Sequence, residues 1–285
     1  MALTAAAAAG WLLAGRTFSA TETTVSALAK ETHFHGLAVD PRDPSRLYLA
    51  THHGLYAVAT NGTARRLSEV PDDFMGFTPH PADPGILFAS GHPVGGGNLG
   101  FITSTDGGRS WVKLSDGIGG PVDFHQLDVS RADPRVIYGV YGELQVSGDG
   151  GHTWEQVGPV PDGLIDLAAS ATDAATLYAA TKNGFFLSKN GGRTWRDAYI
   201  QKRPATLVAT GTDGDVYAFV VGVGLLRATE PNLSWSLVNN DFGEGYVIHL
   251  AIHPTDTSTL YAVTHKGEVL ASTDGGQTWS PIGSK

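Results

Sequence analysis

Imidazole is the usual nitrogen ligand for zinc, copper, nickel and iron, and this chain holds 11 histidines and no cysteine. The lack of Cys removes disulfides, zinc-thiolate sites, iron–sulfur clusters and a thiol nucleophile. His33 and His35 stand two residues apart, a spacing that on a β-strand puts both rings on one face. His52 and His53 are adjacent, and His92 and His125 follow at longer intervals. These six define the expected metal ligands, with copper or zinc as the expected ion and Met75, if it takes part, favouring Cu(I). The competing chemistry is glycoside hydrolysis, which needs one carboxyl raised in pKa as an acid and a second, ionised one as base or nucleophile. Its candidates are Asp73, Asp123, Asp166 and Glu143.

What would bring such scattered residues together is a repeat. STDGGRSW begins at Ser104, SGDGGHTW at Ser147, SKNGGRTW at Ser188 and STDGGQTW at Ser272. The first two spacings are 43 and 41 residues and the last is 84, twice 42, so a worn copy belongs in the gap. ATEPNLSW at Ala228 fills it, keeping Ser234 and Trp235. A sixth copy, ATNGTARR at Ala59, retains only Asn61 and Gly62. In the four sharp boxes Asp106, Asp149, Asn190 and Asp274 can accept hydrogen bonds from turn N–H groups and the Gly-Gly pair supplies positive φ, so these side chains are structural rather than catalytic. Five of the six tryptophans (Trp111, Trp154, Trp195, Trp235 and Trp279) occupy one slot of the box, where the ring is expected to pack between neighbouring repeats.

Upstream of each box an apolar strand, such as HGLAVDP at His35 or HLAIHP at His249, precedes a second strand with an aliphatic-aromatic pair, such as LYLAT at Leu47 or LYAVT at Leu260. A third strand enters the box and a fourth leaves it. Four short strands repeated six times predict an all-β, six-bladed β-propeller of four-stranded antiparallel blades over residues 31–285, with no helix longer than a few turns.

Propeller topology sorts the side chains by face. The start of the innermost strand and the loop between strands two and three share one face, and the box turns lie on the other. Eight of the 11 histidines fall on the first face, which we call the mouth, and concentrate in blades 6, 1, 2 and 3. Only His80, His152 and His253 map to the far side. The longest loop, Gly91 to Gly100, also rises at the mouth, in blade 2.

The S-x-D-x-G-x-T-W pattern resembles that of the bacterial Asp-box (BNR) repeat proteins, which include sialidases, xyloglucanases, the sortilin luminal domain and the photosystem II assembly propeller. His35 to Pro41 and the Thr51 to Gly54 turn are closer still to exported single-domain propellers loosely labelled glycosyl hydrolases. The resemblance implies the fold strongly and an activity only by analogy. A sialidase would need an arginine cluster and usually a Tyr nucleophile, whereas only Arg203 stands at a strand start.

A formal charge of -9 removes the attraction on which phosphate-backbone binding depends, so nucleic acid is not an expected partner. The expected partner is a small ligand, a metal ion or a protein at the mouth. Residues 1–30 read as an apolar segment and linker. The run from Ala2 to Gly15 is too short to span a bilayer and suits the core of a secretion signal, although no Lys or Arg precedes it; an Ala-rich tail or short packed helix is the other reading. The expectation is therefore an exported binding scaffold with a His-rich mouth, the alternative being a glycosidase that uses the mouth carboxylates.

Overall fold

Strand-forming stretches of Val, Leu, Ile, Tyr and Phe, each closed by a glycine or Asx turn, give six antiparallel sheets in the computed structural model, which describes residues 22–283. Each blade is built from four strands contiguous in sequence. Blade 2, for example, comprises Asp73–Pro79, Leu87–His92, Phe101–Ser104 and Val112–Ser115. The innermost strands of blades 1 to 6 are Phe34–Val39, Asp73–Pro79, Gln126–Val129, Leu164–Ala169, Ala205–Thr210 and Val247–Ile252. They stand side by side around the axis, and the first contacts the last to close the ring. The chain is thus a six-bladed propeller, and its single helix among the described residues is the one-turn Val25–Leu28.

The box turns behave as the sequence predicts. Ser147 Oγ donates to Asp149 Oδ1 (2.8 Å) and accepts the Gly151 N–H (2.8 Å), while Asp149 accepts from the backbone and hydroxyl of Thr153 at 2.9 and 2.7 Å. Hydrogen bonds from the Thr153 hydroxyl and amide hold the Asp149 carboxyl down at about 2, and Asp274 is held there by the same contacts from Thr278. A depressed carboxyl stabilises the fold above its unfolded pKa of about 3.9 and loses that contribution as pH falls through 2. Blade 4 carries the natural control: Asn190 accepts the Thr194 N–H and donates to its hydroxyl, both at 2.9 Å. Asp149→Asn is accordingly expected to keep the turn and to flatten the loss of melting temperature between pH 4 and 2. Thermal melts of both proteins over that range check it; an undiminished slope would mean that Asp149 does not contribute to the acid sensitivity.

Each box tryptophan packs in the seam between its own blade and the preceding one. Trp154 lies against a cluster that combines Phe88 and Phe101 of blade 2 with Phe124 and Leu127 of blade 3, and Trp111, Trp195, Trp235 and Trp279 occupy the equivalent seams. The seam between blades 6 and 1 is built differently. Blade 1 has Arg66 where the other boxes have Trp, and residues 22–28, which the sequence reading set ahead of the propeller, pack there instead. Glu22–Thr24 pairs with Thr63–Arg66 as a fifth, outermost strand, Thr24 caps the short helix, and Val25 and Leu28 bury themselves in the cluster that joins the two blades. The signal-like run ending at Gly15 lies outside the described residues.

Candidate metal centre at the propeller mouth

Four of the five longer innermost strands share an irregularity at the mouth end. Pairing in blade 1 skips from Phe34 to Gly36, in blade 4 from Leu164 to Asp166, in blade 5 from Ala205 to Leu207 and in blade 6 from Val247 to His249. A bulge leaves its extra residue out of the ladder and re-aims its side chain. In blade 1 that residue is His35, so His33 and His35 do not present their rings as a regular strand would. His35 turns instead to the second loop of its own blade, where its Nε2 lies 3.1 Å from the His52 ring nitrogens. Thr51 fixes that loop: buried at its base, it accepts the His53 N–H and donates to the Gly54 carbonyl, both at 2.9 Å. Across the seam, Asp73 at the start of blade 2 meets both rings, with Oδ2 2.8 Å from His52 Nδ1 and Oδ1 3.7 Å from His35 Nε2.

A second group repeats this composition one blade on. Asp123 is held between Val122 and Phe124, both wholly buried, and the Phe124 N–H is tied to Ser90 Oγ at 2.9 Å. Its Oδ2 lies 3.0 Å from His92 Nε2 and 2.6 Å from His125 Nε2. His92 Nδ1 donates to the Gly97 carbonyl at 2.8 Å, which ties the long blade-2 loop to the site. With its proton on Nδ1, a neutral His92 turns a lone pair toward a carboxylate oxygen, and that opposition is relieved by a proton or a cation between them. Donation of the second ring nitrogen to a backbone carbonyl is also how metal-bound histidines are oriented. In each group the donor atoms all lie within 4.8 Å of one another. Asp73 Oδ1 and Asp123 Oδ1 are buried and accept no hydrogen bond.

The charges of the two groups act on each other. Burial, and then the neighbouring His52, push the His35 imidazole down to about 4 against the pull of Asp73, and His125 adds to the lowering. His35 is therefore neutral at pH 7, the form that binds metal. The hydrogen bond to Asp123 raises His125 above the usual 6.5, and Asp73 reinforces it.

The other expected site residues stand apart from these groups. His33 and His53 are exposed, with ring centroids 5.6 and 6.5 Å from that of His52. Asp166 accepts the N–H groups of Leu167 and, in blade 5, Val208, both at 2.9 Å. Enclosure by the surrounding chain pushes its carboxyl up to about 7. Asp128 makes the same tie from blade 3 to Ala169 of blade 4 at 2.8 Å, and its carboxyl is likewise raised by desolvation. Glu143 accepts from Gln156 within its own blade. Below the metal groups a cavity of about 390 Å³ runs along the ring axis, with His35, Met75 and His125 at one end and Arg131 and His253 at the other. His249 lies half-buried beside it, its Nε2 donating to the Phe34 carbonyl at 3.0 Å, and desolvation lowers its pKa. On the far side, His80 and His253 use Nδ1 to accept turn N–H groups, the structural role that Asp40 plays in blade 1.

The BNR/Asp-box repeat model matches residues 270–281, which contain the box beginning at Ser272. Six antiparallel sheets close into a ring, four of them with a sharp box. This is a six-bladed propeller carrying Asp-box repeats. Among solved structures the propeller is similar to the GH74 enzyme of Niastella koreensis (TM-score 0.61, 14% identity, 88% of this chain and 45% of that one). It is also similar to the GH74 xyloglucanase of Xanthomonas campestris (TM-score 0.60, 20% identity, 92% and 47%). The propeller thus spans about half the length of both enzymes. YCF48 from Cyanidioschyzon merolae is matched over nearly its whole length (TM-score 0.54, 16% identity, 88% and 85%). At such identities the likeness is one of fold. No curated protein matches the sequence. No helix among the described residues is long and apolar enough to cross a membrane.

Proposed function

We propose that the propeller is a binding scaffold whose mouth holds a late first-row divalent metal ion through the groups His35–His52–Asp73 and His92–Asp123–His125. The observation that carries this reading is Asp123: a carboxylate almost wholly buried, contacted by two imidazole nitrogens on one oxygen and by nothing on the other. A buried carboxylate with an unused oxygen is costly unless a cation or donor faces it. Two imidazoles and a carboxylate form a set that zinc accepts readily, with a fourth position left for a ligand. A hard carboxylate in each group favours zinc or Cu(II) over Cu(I).

The glycosidase reading has less support. Asp73 and Asp123 are each engaged by two histidines and Glu143 by Gln156, and Asp166, the one of the four whose carboxyl is raised, to about 7, spends both oxygens on backbone N–H groups. Calorimetric titration with zinc at pH 7, beside a glycoside-hydrolysis screen, separates the two. The wild type should bind at least one equivalent, and His35→Ala combined with His125→Ala should weaken binding by at least about 100-fold, since each group loses a ligand. Because His125 holds its proton above 6.5, binding there should release it, and affinity should fall from pH 7 to 5. Equal zinc binding by the double variant would sink the assignment. We further propose that the protein is exported, on the strength of the apolar run at residues 2–15; a native N-terminus still at Met1 would refute this.

A further inference from the structure

The two groups share no residue, yet they meet at one place. Asp73 of the first and His92 of the second are directly opposed on neighbouring strands of blade 2. Such cross-strand neighbours have Cβ atoms about 4.5–5.5 Å apart. Resting on the metal reading above, we infer that the mouth takes two divalent ions at once, one on each side of the Asp73–His92 pair, and that a phosphate dianion bridges them. Each group supplies three protein donors, one short of a tetrahedral set. Two divalent ions held by two carboxylates carry a net charge of two. A dianion with several oxygens cancels that charge and reaches both ions, whereas a monocarboxylate cancels half. Each group has its own Asp, so neither has to borrow a carboxylate from the other.

Zinc and inorganic phosphate are the probes. Elemental analysis and titration should give two zinc ions per chain in the wild type and one in each of His52→Ala and His125→Ala, both exposed side chains whose loss leaves the core intact. Phosphate added to the zinc-loaded wild type should bind at least tenfold more tightly than to either one-ion variant, and more tightly than acetate. Circular dichroism confirms folding, and His125→Gln replaces the alanine variant should that one unfold. Two zinc ions with phosphate bound no better than by the variants, or not at all, would overturn the bridge and leave the metal reading standing. A single ion in the wild type would overturn the paired site. No zinc in any form would overturn both readings together.

Discussion

Trp154→Ala is expected to destabilise the propeller by about 3–5 kcal/mol. The indole meets Phe124 at 4.8 Å and Phe101 at 5.3 Å between ring centroids, so one side chain joins the cores of blades 2 and 3. Its Nε1 donates to Ser115 Oγ at 2.8 Å, which anchors the outermost strand of blade 2 as well. Truncation opens a cavity in the seam and removes that bond. Because the indole is partly solvent-exposed, the lower end of the range is the better estimate. For a domain of this size each kcal/mol shifts the melting point by roughly 2–4 °C. Denaturant unfolding gives the loss directly. A variant as stable as the wild type would mean that the seam does not depend on its indole.

The second large effect is expected at Gly91, where structure and site meet. Gly91 has φ of +124° and sits opposite the first strand of blade 2, so that a Cβ would overlap the Asp73 carbonyl oxygen. Alanine there must adopt a backbone conformation unfavourable to L-residues and push the Asp73 peptide away, a combined cost of several kcal/mol at about 1–3 kcal/mol for each effect. Asp73 belongs to one metal group and the adjacent His92 to the other. Gly91→Ala should therefore abolish zinc binding at both groups together, by 100-fold or more, whereas substitutions within one group spare the other. Titration of the refolded variant, with stability measured in parallel, checks this. Retention of either group at wild-type affinity would show that the Asp73 backbone position is not what sets the geometry.

Much of this architecture was legible in the chain because it repeats. The spacing of Ser104, Ser147, Ser188 and Ser272 set the blade length, and the tryptophan slot identified the seams before any contact was known. The mouth was legible in part. Sorting by topology put His35, His52, Asp73, His92, Asp123 and His125 on one face, and all six are in the two groups. Their partnership was not readable. Asp73 and Asp123 stood among the carboxylates a hydrolase could use, because sequence spacing does not reveal that each falls between two rings. The Asp123-x-His125 spacing was a usable hint. His33 drew attention through a His-x-His pattern that presumes a regular strand, and the bulge at His35 breaks that premise. The tie of Asp166 to the next blade was not readable because its partner N–H, on Val208, is 42 residues away. The role of residues 22–28 was hidden for a simpler reason: nothing marks a strand of three residues except the worn box it covers.

The way the ring closes bears on how it is made. Every blade is a run of neighbouring residues, so each sheet can form from its own 42 or so as the chain leaves the ribosome, with loops no longer than a hairpin to organise. One junction is of another kind. The bond from His249 to the Phe34 carbonyl joins residues 215 apart, and the cluster around Val25 and Leu28 has to wait for blade 6 before it is covered. Loop-closure entropy grows only slowly with length, so the expense of that step lies less in bringing the ends together than in what stays uncovered meanwhile. Until the last blade docks, the apolar flank of blade 1 and that of the newest blade are both open to solvent, and two half-made rings could exchange them. The seam between blades 6 and 1 is thus the place where assembly of one chain competes with association of two.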